Sequence, residues 1–108
     1  MEEREISKLY YLASAIVSNP SNFENLIDLV WTKAAIKPSN NLSMALQSLL
    51  CICKNHKQRL IDDTTNETLA EVAEELFKFN NEDVRQAGRA LFWALENSIK
   101  SLNQNTKK

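Results

Sequence analysis

One glycine and two prolines are all this chain has of the residues that interrupt regular structure. Strands need such residues at short intervals to turn, whereas helices joined by brief polar loops do not, so their scarcity points to an all-α fold. Charge of one sign is also lacking. The 13 basic and 14 acidic side chains leave a net charge of −1, so no bulk attraction draws the chain to nucleic acid or an anionic membrane. No apolar run approaches the roughly 20 residues that span a bilayer. The opening residues, Met1 to Glu5, are acidic and lack the basic-then-apolar order of a secretory leader, so the expected location is cytoplasmic. Cysteine is limited to Cys51 and Cys53, two apart in an apolar stretch. A disulfide between them would be strained, and reduced thiols are expected.

What is present fits a single globular domain: 108 residues, 44% of them apolar and 25% charged. Apolar residues recur at three-and-four spacing, which predicts five antiparallel helices at about 2–18, 22–36, 41–56, 66–79 and 82–102 within a domain of residues 1–102. Residues 103–108 are polar and read as a disordered tail. Asn19-Pro20 should end the first helix, because a residue before proline avoids the helical region. Ser21 with Glu24, and Thr64 with Glu67, have the spacing of a capping box. Asn80-Asn81 should turn the chain and cap the last helix. The third helix carries Leu49-Leu50-Cys51-Ile52-Cys53 and is apolar nearly all round, which places it in the middle of the fold.

Sliding the sequence by 42 positions superimposes two helix pairs and the turns inside them without a gap. Ile27 falls on Leu69, Val30 on Val72, Leu42 on Val84, Ala45 on Ala87, Leu49 on Leu91 and Cys53 on Leu95. That period lies in the range of two-helix solenoid repeats. The second unit resembles a HEAT/armadillo-like helical repeat: Asp83-Val84-Arg85-Gln86-Ala87-Gly88-Arg89-Ala90-Leu91 follows a short acidic turn and is similar to the D-V-R-x-A-x-x-A-L pattern of HEAT repeats. The first unit departs from it, with Leu42-Ser43 in place of Val-Arg and Pro38 in the turn. The resemblance spans roughly residues 23–102. It implies a short α-solenoid, a closed helical bundle being the competing arrangement, and a bracing role for Arg85.

Arg85, Arg89, Trp93 and Lys100 form a stripe opposite Leu91 and Leu95 on the fifth helix, as suits a terminal helix with one exposed side. Trp and Arg are enriched at binding hot spots, which makes this stripe the candidate protein-binding site. Packing of Trp93 under a neighbouring segment and local pairing of Arg85 with Glu82 or Asp83 is the plainer account. Lys54, His56, Lys57 and Arg59 gather near the end of the third helix. Their charges complement the helix dipole, and they are the candidate nucleic-acid contacts. Glu67, Glu71, Glu74 and Glu75 line the outer side of the fourth helix as a solvated face or a docking surface for a basic segment. Cys51, Cys53 and His56 make an incomplete zinc set, with the two thiols pointing to different sides of one helix. No catalytic constellation is present, and no cofactor is implied. The expected function is a non-enzymatic protein–protein interaction module, an adaptor or regulatory subunit, with a homodimer through Trp93 as one form. The alternative is a helical-repeat protein gripping a phosphate backbone through its basic patch.

Overall fold

The computed structural model describes the backbone of residues 2–33, 40–62 and 66–106 and the side chains of residues 2–32, 41–62 and 66–98. These residues form six α-helices and a 3-10 turn, with no strand among them. The helices are α1 (Glu3–Ser18), α2 (Phe23–Lys33), α3 (Asn40–Asn55), α4 (Lys57–Asp62), α5 (Glu67–Phe77) and α6 (Glu82–Thr106). Pro20 stops α1 as expected, and the 3-10 turn Pro20–Asn22 leads into α2. The expected capping box there is replaced. Ser21 sits inside the turn and donates to Asn19 Oδ1 at 2.9 Å, while the Glu24 carboxylate pairs with Lys57. Thr64 and Pro38 lie outside the described residues. The residue that precedes α5 is Asn66, at φ 68°, a left-handed conformation that asparagine tolerates better than most residues, and its side chain makes no capping hydrogen bond.

Two further differences concern count and length. The boundary expected at 57–66 contains the six-residue helix α4, anchored by the buried Leu60. The last helix continues through the polar residues 103–106 instead of ending at the expected tail. Asn81 does cap it: its Oδ1 accepts the amides of Asp83 and Val84 at 2.9 and 3.2 Å. Those are amides that a helix start leaves without backbone partners.

The centre of the fold is α6, not α3. α6 packs against α5 and α1 and, less extensively, against α3. Its buried residues, Val84, Ala87, Gly88, Ala90, Leu91, Ala94 and Leu95, cover an arc of about 160° at 100° per residue, wider than a single neighbour needs. Four of them are alanine or glycine, so neighbouring backbones come close on several sides. By contrast, α3 turns Met44, Gln47, Cys51 and Lys54 outwards, so its apolar run is not enclosed. The first helix therefore lies against the last, and Leu9, Leu12, Ala13 and Ile16 of α1 join the same core as Leu69 and Leu76 of α5. No described helix is long and apolar enough to cross a membrane.

Gly88 sets the tightest of these approaches. A Cβ there would lie 3.1 Å from the Ala73 carbonyl oxygen, 3.1 Å from Leu76 Cβ and 3.3 Å from a Phe77 ring carbon. Beside this contact the Phe77 and Phe92 rings meet at 5.1 Å between centroids. Alanine at 88 sets a gain in helix propensity against a small shift of α5, whereas a branched side chain has no room. Gly88→Val is expected to lower the unfolding free energy by about 1–3 kcal/mol, read as a lower urea midpoint with an unchanged slope.

Candidate protein-binding face

Steps of four residues bring Arg85, Arg89 and Trp93 onto the side of α6 that its neighbours leave uncovered. Lys100 belongs to the same helix, but its side chain lies outside those described. Trp93 is 45% exposed, and it is not loose: the Tyr10 ring of α1 meets it edge-on, 5.1 Å between centroids at 69°. Such edge-to-face pairs contribute about 0.5–1.5 kcal/mol beyond the area they bury. The indole thus stands as a seated aromatic with one flank held and the other in water. Tyr11, the next residue of α1, is 72% exposed.

Both arginines of the stripe turn to one carboxylate. Arg89 donates to Glu82 Oε1 at 2.5 Å and to Gln86 Oε1 at 3.2 Å, and Arg85 Nε stands 3.9 Å from Glu82 Oε2. The Arg89 hydrogen bond, then its charge, then the smaller effect of Arg85 hold the Glu82 carboxyl below its usual value of 4.5. Arg85 Nε is buried and has no hydrogen-bond partner among the described residues.

The four residues of the basic patch are drawn apart. His56 Nε2 meets Glu75 Oε2 at 2.7 Å, Lys57 Nζ meets Glu24 Oε1 at 2.8 Å, and Arg59 meets Glu71 Oε2 at 2.6 Å. Three of the four basic side chains therefore tie α4 and its entry to α2 and α5. Lys54 alone of the four makes no ion pair or hydrogen bond with another described residue. Two of the α5 carboxylates, Glu71 and Glu75, are taken up in the same contacts.

Sequence reasoning missed a groove between α2 and α3. It has a volume of about 540 Å³, with Ile27 and Leu50 in its lining and Trp31 and Asp28 along the α2 wall. The signal was legible: Glu24, Asp28 and Trp31 recur at spacings of four and three on one face. The thiols point to different environments, as expected. Cys53 is buried, which pushes its pKa up to about 12 and leaves it a poor nucleophile, whereas Cys51 is exposed. Among the described residues, no three His, Cys, Asp or Glu side chains are grouped to hold a metal ion.

The Glu82 contacts carry a pH signature. A carboxyl whose pKa falls on folding stabilises the fold above its unfolded value near 4.5, and that contribution is lost as pH falls through the lower folded value. Glu82→Gln is expected to lower the melting temperature slightly at pH 7. The difference from wild type should disappear in acid, and should shrink in about 1 M salt, which weakens attraction between exposed charges. A constant difference at every pH would show that Glu82 acts through packing alone.

No protein-family model, curated protein or solved structure matches this chain.

Proposed function

We propose that this chain is a cytoplasmic, non-enzymatic protein–protein interaction module, a small adaptor or regulatory subunit of a larger complex, which binds through the α6 face carrying Trp93. The observation that carries this reading is the half-exposed indole fixed from one side by Tyr10. A rigid aromatic offers large apolar area with little conformational freedom left to lose on binding, and Trp and Arg dominate interface hot spots. Arg89, 44% exposed, stands one turn before it and brings a guanidinium already oriented by Glu82. A second copy of the chain is one partner this face suits.

The repeat reading is kept as part of the proposal: α2–α3 and α5–α6 are two HEAT-like units. Burial supports it along the second helix of each unit. From Leu42 with Val84 to His56 with Ser98, the 42-residue offset pairs residues of the same burial class at all but two positions, Met44 with Gln86 and Ser48 with Ala90, whereas in the first helices Leu26, Asp28, Val30 and Trp31 are each more exposed than their counterparts. Binding of a phosphate backbone is the competing function. It has less support, because three of its four candidate residues, His56, Lys57 and Arg59, already face carboxylates.

Affinity capture with nuclease-treated lysate, comparing wild type with Trp93→Ala and with Arg85→Glu/Arg89→Glu, tests this reading. A protein partner retained by wild type should bind Trp93→Ala about thirtyfold more weakly, the effect of a hot-spot truncation of about 2 kcal/mol. Analytical ultracentrifugation of the same proteins identifies self-association through this face. Recovery of nucleic acid alone, released by high salt and indifferent to Trp93→Ala, would overturn the reading in favour of the basic patch.

A further inference from the structure

A second surface, on the other helix pair, has the features of a binding site. α2 and α3 diverge enough to leave the groove of about 540 Å³, which is the volume of an ordinary ligand pocket but open along one side. Ile27 is buried beneath it, while Leu50 and Trp31 are only partly covered and present apolar surface to the opening. Its charges differ from those around α4. Glu24, at one end, is held by Lys57, whose hydrogen bond and charge keep its carboxyl below the usual value, with a smaller contribution from Lys54. Asp28, one turn further along α2, makes no ion pair or hydrogen bond with any described residue, and neither does Lys54 on the α3 wall. Trp31 follows Asp28 by three residues, so carboxylate and indole lie side by side on one face.

We propose that this groove binds an extended or helical segment of a partner protein that presents an apolar side chain between a basic and an acidic one. The apolar side chain covers Leu50 and Ile27. The basic group pairs with Asp28 and lies beside the Trp31 indole, where a carboxylate and an aromatic face both favour a cation. The acidic group reaches Lys54 on the α3 wall. The open side admits a chain lying across the groove, and the placing of Asp28 on one wall and Lys54 on the other fixes the direction in which that chain runs. This site is distinct from the Trp93 face. It rests on Asp28, Trp31, Leu50 and Lys54 and on none of the α6 stripe.

Selection from a random peptide display library against the Trp93→Ala protein tests the proposal. That variant removes the α6 anchor and leaves Trp31 as the chain's one tryptophan, so its emission reports on the groove alone. Circular dichroism confirms that the variant is folded. Trp93→Phe is the substitute where it is not. Selected peptides should share an apolar residue flanked by a cation and an anion and should shift the Trp31 emission. Asp28→Lys and Lys54→Glu should each weaken them about tenfold, as expected for one lost charge-assisted contact. The double exchange Asp28→Lys/Lys54→Glu should select peptides with the two charges transposed. Peptides without the charge pattern, or peptides that bind with Trp31 emission unchanged, would overturn the proposal. So would a failure to select any peptide, and self-association abolished by Asp28→Lys would assign the groove to a second copy instead. None of these outcomes depends on whether Trp93 recruits a partner, so the two surfaces stand or fall separately.

Discussion

The absence of a side chain at position 88 governs how close α5 can come to α6, and most of the fold follows from that closeness. With the Ala73 carbonyl and Leu76 Cβ only 3.1 Å from where a Cβ would stand, the two helices meet nearly backbone to backbone. Ala87, Ala90 and Ala94 extend the same narrow profile around α6, so α1 and α3 also approach it closely. A helix lined with leucines at these positions would hold its neighbours further out and leave gaps that only larger partner residues could fill. Small residues in the centre and leucines on the surrounding helices give the complementary arrangement. Leu9, Leu12, Leu46, Leu69 and Leu76 are all buried around that centre.

Once α6 occupies the middle, its remaining face must carry whatever the chain offers to solvent there. Glu82 faces both Arg89 and, at longer range, Arg85 near the start of the helix, and the first exposed apolar side chain after them is Trp93. The α4 region follows the same economy of charge. It holds few apolar residues beyond Leu60, and two ion pairs and the His56–Glu75 hydrogen bond to α2 and α5 supplement that single anchor. Exposed pairs of this kind each contribute little, typically under about 1 kcal/mol, and act more on geometry than on stability. Their consequence for function is subtraction. Basic groups bound to carboxylates of their own chain are poorly placed to grip phosphates, and of the patch only Lys54, on the groove wall, makes no ion pair or hydrogen bond with another described residue.

Helix type, approximate span and buried face were legible along the chain because each rests on local periodicity. Leu9, Ala13 and Ile16, and likewise Leu69, Val72 and Leu76, are buried as their spacing required. Arrangement was not legible, for a physical reason. A run such as Leu49 to Cys53 states how apolar a helix is but not how near its neighbours come, and nearness was set by Gly88 and three alanines that a hydrophobicity pattern scores weakly. The same limit applies to capping. Ser21 and Glu24 have the right spacing for a box, yet each found a better partner, Asn19 and Lys57, the second distant in sequence. Trp93 was recognisable as an outward residue from its position opposite Leu91, whereas the Tyr10 ring that seats it belongs to a helix more than eighty residues earlier.

The two surfaces have a common structural cause. α3 and α6 occupy equivalent positions in the 42-residue offset and expose equivalent sides: Gln47, Cys51 and Lys54 correspond to Arg89, Trp93 and Glu96. α6 is covered further by α1, and that added neighbour supplies Tyr10, which turns an exposed indole into an oriented one. The flank of α3 beside α2 lines the groove, with Leu50 partly covered there, and its counterpart Phe92, also partly covered, meets Phe77. Two similar helices in different surroundings thus yield two different surfaces, one flat and aromatic, the other concave and bipolar. Because α3 and α6 pack directly on each other, the wall of the groove and the helix that bears Trp93 are adjoining parts of one core.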